Sequence, residues 1–444
     1  MTETAGLTPL ERRAAWSLSA IYVVRMLGLF IVLPVFALHA DGYAGATPLG
    51  IGLALGVYGL LQALLQVPLG ALSDRIGRKP VITAGLLLLA AGSAVAALSD
   101  TIEGVIVGRA LQGAGAMAAA LMALAADLVR EERRTRVMAM LGASIGFAFV
   151  LALVLGPVVV ALSSLDALFW LTAGCALAAL ALLHVAVPDP PVRLHRADVG
   201  AEPATMRRLA LHPDLARLNL SVFALHLLIV ATFVAVPVML ADVGIGPERQ
   251  WRVWLGALVA SIAIMAALVA FAERRAMRAT LVGCALAMAL VQGLLAGLGH
   301  VLVPLLAAVA LFFGALNALE ALLPSLVSRI APAGARGSAM GLYSASQFLG
   351  AFAGGVGAGA LLGAVGRDGL FVALGLGCAA WALSLAGLRV PARARTVRRE
   401  LAPEELDRVD ALIAELVARP EVVEAAHAPA ERAIYLKTTD PALV

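Results

Sequence analysis

Charge is scarce in this chain. Only 14% of its 444 residues are Asp, Glu, Lys or Arg, against about 25% in an ordinary soluble domain. Aromatic residues are scarce too, at 5%. There are three cysteines, Cys175, Cys284 and Cys378, each inside an apolar run. They match neither a disulfide framework nor a metal-ligand spacing, and read as small core residues. No Walker-type loop is present, so ATP does not drive this protein. No hydrolytic triad and no cluster of metal ligands is visible either. The chain reads as no enzyme, with no catalytic residue, cofactor, metal or nucleic-acid partner. Alternating segments of about ten residues, the signature of a membrane β-barrel, are absent. The first apolar run, from about Ala14, is too long for a cleavable leader and lacks a small-residue cleavage site, so a retained span is expected.

What fills the chain instead is apolar residue and glycine. The hydrophobic share is 61%, glycines number 43 and mean hydropathy is +0.94. Burying that much apolar surface in a soluble core is implausible, whereas small residues let helices approach closely in lipid. Twelve runs reach the roughly 20 residues needed to cross a bilayer. They are Ala14–His39, Pro48–Leu72, Val81–Leu98, Ile102–Val129, Val137–Leu162, Leu165–Val187, Leu215–Ala241, Trp251–Phe271, Ala279–Leu298, Val301–Val327, Ser338–Leu362 and Leu370–Leu388. Arginine and lysine gather in alternate connections: Arg12 and Arg13; Arg75, Arg78 and Lys79; Arg130 to Arg136; Arg193, Arg196, Arg207, Arg208 and Arg217; Arg274 to Arg278; Arg329 and Arg336. The other connections carry mainly Asp41, Asp100, Glu103, Asp166, Asp242 and Glu248. Cationic loops face the cytoplasm, so an inner (cytoplasmic) membrane location with both termini cytoplasmic is expected.

The fold class expected is an all-α polytopic membrane protein of twelve transmembrane helices, with a small α+β cytoplasmic appendage. Residues 1–190 form one six-helix bundle, 191–213 a proline-rich cytoplasmic linker, and 214–390 a second six-helix bundle. Two such halves suggest parallel repeats about a central path. Residues 396–444 form the appendage, read as a helix to about Ala418 and two strands, Val422–Ala428 and Ala433–Thr438. The arginines just after the last run, Arg389 to Arg399, suit anionic headgroups or an ordinary basic flank. This αββ unit is too small to stand alone. It is expected to dock on the bundle or on another protein.

The densest charge cluster in the first hundred residues is Gly70-Ala-Leu-Ser-Asp-Arg-Ile-Gly-Arg-Lys-Pro80. It lies in a tight turn between two spans, and a turn needs little charge merely to stay in water. Gly70 allows close helix packing, and Gly77 allows a backbone that a side chain would strain. Asp74 is an anion placed where helix N-termini present unpaired N–H groups. Intramembrane charges are rarer still. Arg25 and Arg109 sit inside runs one and four, and each is a functional residue or a hydrogen-bond clamp to carbonyls and to Gln62, Gln66 or Gln112. Glu320, with Asn317 one turn earlier, is the clear acid within a second-half run. Desolvation there favours a proton carrier, and the other reading is an ion-paired or protonated packing residue. His226 reads as a core histidine or a proton site. Gln347, with the three glutamines above, Asn317 and His226, is a candidate for lining the path. The glycines from Gly350 to Gly363 read as close helix packing.

These motifs carry a resemblance. Gly70-x-Leu72-Ser73-Asp74-Arg75-x-Gly77-Arg78-Lys79 resembles the loop 2–3 signature of the major facilitator superfamily. Arg109-Ala110-Leu111-Gln112-Gly113 resembles its span-four arginine motif. Gly156-Pro157 resembles the core of its antiporter motif, with Val158, Val159 and Val160 where that motif has glycines. Arg25 to Phe30 through Leu33-Pro34 is similar to the YajR-like branch, a group of drug–proton antiporters with a ferredoxin-like domain after span twelve. The resemblance implies a latch of Gly70, Asp74, Arg75, Gly77 and Arg78. In it Asp74 caps the start of span eleven near Gly337–Ser338, and Arg78 pairs with Asp127. It also links Arg109 to proton coupling. The function expected is a secondary transporter, monomeric, working by alternating access and exporting amphipathic small molecules in exchange for protons. A metabolite or sugar facilitator or importer without proton coupling is one alternative. A membrane sensor or scaffold acting through its tail is another.

Overall fold

A computed structural model describes residues 6–189, 203–332, 335–390, 395–419, 421–428 and 433–438. The helices are α1 (Pro9–Phe30), α2 (Phe36–His39), α3 (Pro48–Ile76), α4 (Arg78–Ala97), α5 (Ile102–Ala114), α6 (Ala118–Leu128), α7 (Glu131–Leu162) and α8 (Leu165–Ala186). There follow α9 (Pro203–Leu211), α10 (Pro213–Asp242), α11 (Pro247–Phe271), α12 (Met277–Leu298), α13 (Leu302–Ile330), α14 (Arg336–Ala386) and the short α15 (Val409–Val417). Their starts obey local chemistry. Thr8, Thr47, Thr101 and Ser164 cap with side-chain oxygens, and proline occupies the first turn of α1, α3, α10 and α11, where its missing N–H costs nothing.

Among the described residues, ten helical segments are long and apolar enough to cross a membrane. Helix α1, with Glu11, Arg12, Arg13 and Arg25 in its length, is not one of them by composition. Helix α14 merges two predicted runs into 51 residues across a break at Gly366, whose φ of 71° suits glycine. Predicted run one does not continue to His39. Its helix stops at Phe30, and turns occupy 31–35 before α2, because Pro34 offers no N–H and restricts its predecessor. Predicted run four also divides, between α5 and α6. There Gly115 lies so close to α4 that a Cβ would come within 2.5 Å of the Gly85 carbonyl.

The predicted linker is not wholly irregular. Residues 190–202 lie outside the described residues, but α9 follows them directly. The tail differs by one strand. A strand β1 (Arg395–Glu400) precedes the helix, β2 (Val422–Ala428) and β3 (Ala433–Thr438) follow it, and the antiparallel sheet has the order β1-β3-β2. The pattern is therefore βαββ, not αββ. The sequence Arg-Thr-Val-Arg-Arg-Glu hides β1 because an edge strand can be mostly charged. Leu401, Val409, Leu416, Ile434 and Leu436 make its small core.

Candidate functional site

The turn at 70–80 forms a compact polar knot. Gly77 adopts φ 103°, ψ 155° and separates α3 from α4. Arg78, at the first position of α4, bonds Ser73 Oγ at 2.7 Å, pairs with Asp74, and reaches Asp127 Oδ2 at 3.3 Å. Ser73 in turn donates to the Gly70 carbonyl at 2.7 Å. The expected Arg78–Asp127 pair is thus in contact across α4 and α6. The expected contact of Asp74 with the start of span eleven is not made, and the Asp74 side chain is 59% exposed. Arg75 is exposed with no acid partner among the described residues. Lys79 extends the knot by bonding the Val187 carbonyl at 2.7 Å and Asp189 at 2.8 Å beyond α8. The ammonium holds the Asp189 carboxyl below its ordinary range. Sequence reasoning missed a further clamp at the same end. Arg130 caps Glu11 through both backbone and guanidinium, at 3.0 and 2.8 Å. These bonds hold the Glu11 carboxyl down at about 2. The capping-box spacing of Thr8 and Glu11 was the signal available.

Both intramembrane arginines are buried away from any acid. Arg109 is 0% exposed. It donates to the carbonyls of Gly28 (2.8 Å), Ala54 (3.3 Å) and Leu29 (3.4 Å), and to Gln112 Oε1 at 2.7 Å, with its Cζ 5.1 Å from the Tyr58 ring centre. Gly28 and Leu29 lie in the last turn of α1, where carbonyls lose their helical partners. The broken first helix therefore ends on a guanidinium that satisfies those carbonyls. Arg25, 1% exposed, bonds Gln62 Oε1 at 2.7 Å and lies 5.4 Å from the Tyr22 ring centre. Its Nε has no partner. Gln62 also donates to the Gly113 carbonyl at 3.0 Å, and Gln112 to Ser93 at 2.7 Å. These two glutamines are fully buried partners of the arginines and do not face a path. Gln66 is half-buried, and its Oε1 lacks a partner.

The second half gathers the remaining candidates. His226 Nδ1 lies 3.1 Å from the Val222 carbonyl, so this nitrogen carries the proton. His226 Nε2 faces Gln347 Nε2 at 2.8 Å and Glu320 Oε1 at 3.4 Å. Asn317 donates to Ser261 Oγ at 2.8 Å. Two residues were missed in the sequence: Tyr343, buried with an unpartnered hydroxyl, and Trp254, buried with an unpartnered Nε1. Trp254 belongs to an aromatic cluster drawn from α7, α10, α11 and α13. Phe233 lies 5.1 Å from Trp254 and 6.4 Å from Phe313, and Phe149 of α7 lies 6.0 Å from Phe313.

Helices α3 and α14 meet backbone to backbone through their glycines. A Cβ on Gly56 would lie 2.8 Å from the Phe352 carbonyl, and one on Gly59 2.6 Å from that of Phe348; one on Gly355 would collide with the Gly52 carbonyl. On its other side α14 presents Gly350 and Gly354 to the backbone of Phe223 and Leu227 in α10. Toward the end holding the 70–80 turn, Gly337 and Gly341 of α14 face open space. Near the acidic end the two helices are thus in backbone contact, and at the basic end Asp74 pairs with Arg78 and stays largely exposed.

Comparison with known proteins places this arrangement. The family model described as Major Facilitator Superfamily matches residues 18–276. The inner membrane transport protein YajR of Escherichia coli (strain K12) is 40% identical over 432 residues, covering 97% of this chain and 95% of that protein. The multidrug resistance protein MdtH of Yersinia pestis (strain Pestoides F) is 41% identical over 75 residues, 17% of this chain and 19% of that protein. Among solved structures, a bacterial homologue of the human lysosomal transporter Spinster, inward-facing and unoccupied, superposes with a TM-score of 0.67. It shares 14% identity, covering 86% of this chain and 96% of the other.

Proposed function

The chain belongs to the major facilitator superfamily, and from that premise we propose that this membrane transporter exports amphipathic small molecules in exchange for protons by alternating access. The observation that supports this reading is the glycine-mediated backbone contact of α3 with α14 near the acidic end, set against an exposed Asp74 that pairs only with Arg78 at the basic end. On this reading the twelve spans comprise α1, the ten other membrane-length segments and the second part of α14 beyond Gly366. The bundles are residues 1–190 and 214–390, joined by 191–213, in a cytoplasmic membrane. The arginine bias sets the basic end and both termini in the cytoplasm, so the state described is open inward. Residues 396–444, preceded by β1, are the cytoplasmic appendage, which docks on the bundle or on another protein. The protein acts as a monomer.

The latch comprises Gly70, Asp74, Arg75, Gly77, Arg78 and Asp127. Its charges are balanced within the first half when the cytoplasmic end is open. Closure at that end brings Asp74 to the start of α14, where unpaired N–H groups accept an anion. Arg109 and Arg25 fix spans one, two and four as one body, and Arg109 supports proton coupling. Glu320 carries the proton, in line with its partly accessible carboxyl beside His226. The name of the partial relative, a multidrug resistance protein, favours drug-like cargo. The test is proton flux in proteoliposomes on adding candidate amphipathic compounds. Coupled flux that Glu320→Gln and Arg109→Ala each abolish supports the assignment. Flux unchanged in both variants overturns the coupling, and uptake indifferent to a pH gradient replaces it with facilitated entry.

A further inference from the structure

Helix α9 does not run on into α10. Pro213 has no N–H and restricts its predecessor. His212 is accordingly extended, at φ −66° and ψ 120°, and caps α10 by accepting from the Leu215 N–H at 3.4 Å. Helix α9 packs on α10 and α14. Positions three and four apart share a helix face. Thr205, Met206 and Leu209 make the inner face. Leu209 is 2% exposed and belongs to the main core, and the other two are half-buried. Arg207, Arg208 and Leu211 make the outer face, and all three are exposed, Leu211 at 68%.

A third arginine is brought here from far along the chain. Asp214, in the first turn of α10, accepts from the Arg389 backbone N–H at 3.0 Å and from Arg217 Nη1 at 3.0 Å. The first bond fastens the chain leaving α14 beside the α9–α10 bend. The second takes up the Asp214 charge, and that side chain is only 13% exposed. Among the described residues no acid pairs with the side chains of Arg207, Arg208 or Arg389, and all three are exposed. Their depth is fixed by the helix ends. Arg208 lies five residues before Pro213, where a membrane-length segment begins. Arg389 lies three residues beyond Ala386, where α14 stops. At about 1.5 Å per residue both stand within roughly 8 Å of a helix end. The polar layer on each side of a bilayer is roughly 5–8 Å deep, so these arginines sit among the headgroups.

We propose that Arg207, Arg208 and Arg389 form a binding site for the phosphate of an anionic phospholipid, with Leu211 against its acyl chains. Three observations carry this: unpaired guanidinium groups at headgroup depth, a leucine on the same outward face as two of them, and a bend that Pro213 and Asp214 hold in place. A planar guanidinium matches phosphate geometry in a bidentate manner. An arginine pair beside an exposed leucine suits the boundary between headgroup and acyl chain, where a soluble phosphate ester has nothing to offer the leucine. The bound lipid bridges α9, the start of α10 and the end of α14. It is therefore a ligand of the second half whichever way cargo moves, and the site stands or falls apart from proton coupling.

The test uses the full chain, delipidated in dodecylmaltoside. The probes are dioleoylphosphatidylglycerol, its zwitterionic counterpart dioleoylphosphatidylcholine, and sn-glycerol 3-phosphate as the phosphate without chains. Binding is read by native mass spectrometry and by the rise in melting temperature that a ligand of the folded state produces. The first phosphatidylglycerol should bind about tenfold tighter than phosphatidylcholine, and its thermal effect should shrink between about 0.05 M and about 1 M salt. Arg207→Gln/Arg208→Gln should weaken phosphatidylglycerol about tenfold or more, and Arg389→Gln several-fold. Both should keep the lipid-free melting temperature, which shows that the variants are folded, and the affinity for phosphatidylcholine. Leu211→Ser should weaken both lipids. Arg274→Gln/Arg278→Gln removes the same charge at the α11–α12 turn and should leave phosphatidylglycerol affinity within about twofold. Equal affinity for the two lipids, or unchanged phosphatidylglycerol affinity in Arg207→Gln/Arg208→Gln, would overturn the site. An equal loss in the Arg274/Arg278 pair would replace it with a diffuse basic surface. Glycerol phosphate that displaces the lipid at equal concentration would overturn the lipid assignment.

Discussion

Arg109 does inside the membrane what solvent does at a helix end elsewhere. Its planar fork covers the Gly28 and Leu29 carbonyls that the break before Pro34 leaves without helical partners. Lysine has the charge but a single donor point. Arg109→Lys should therefore lower stability by on the order of 1–3 kcal/mol, read as a fall in melting temperature in detergent, and Arg109→Lys melting like the wild type would remove the capping role. The sequence placed this arginine and its Gln112 neighbour in one apolar run, and both lie buried in α5. Which carbonyls it caps could not be read, because they lie 81 and 80 positions away in the chain. Glu11 is a second residue whose partner was illegible, Arg130 lying 119 positions away. The Arg130 hydrogen bond holds the Glu11 carboxyl down at about 2. A depressed carboxyl adds stability that is complete above its unfolded pKa and is lost as pH falls through the folded one. The stability gap between wild type and Glu11→Gln should be full at pH 6 and above, on the order of 1–3 kcal/mol, and vanish between about pH 4.5 and pH 2. A gap that stays constant across that window would assign Glu11 a purely steric role.

At the scale of the element, α14 is the most constrained helix. Its glycine run was legible as close packing, but its two partners were not, since spacing alone does not say which neighbour each glycine meets. Gly355 and Gly359 serve α3, while Gly350 and Gly354 serve α10. A methyl at Gly355 meets a backbone carbonyl, which has no rotamer to yield. Gly355→Ala should hold α3 and α14 apart at the acidic end and shift the population toward the state open there. Spin labels near Leu49 and Leu361 should report a longer mean distance by double electron–electron resonance, and an unchanged distribution would count against the gate. Gly357, which faces open space, supplies the control, since its alanine variant should leave the distance unaltered. The aromatic cluster of α7, α10, α11 and α13 was overlooked in the sequence for a related reason. In a helix that is hydrophobic all round, phenylalanine and tryptophan raise no local contrast.

Across the whole molecule, the membrane class and the turn at 70–80 were legible because each is written in local composition. Which end is closed was not, since two states of one chain share every residue. Asp74 ties the two descriptions together: it is free of α14 in the state open at the basic end. Asp74→Asn should therefore favour that state and reduce transport several-fold, while substrate affinity stays within about twofold. Binding isotherms with flux from the same preparation check this, and a changed affinity with normal flux would refute it. The contact that closes the opposite end has a thermal consequence of its own. It joins backbone to backbone, so almost no side-chain torsion is frozen when the end shuts, whereas a leucine-lined gate gives up rotamer freedom at each cycle. Closing there is cheap in entropy and nearly insensitive to temperature. The pace of the cycle should then be set at the basic end, where arginine and aspartate must exchange water for each other.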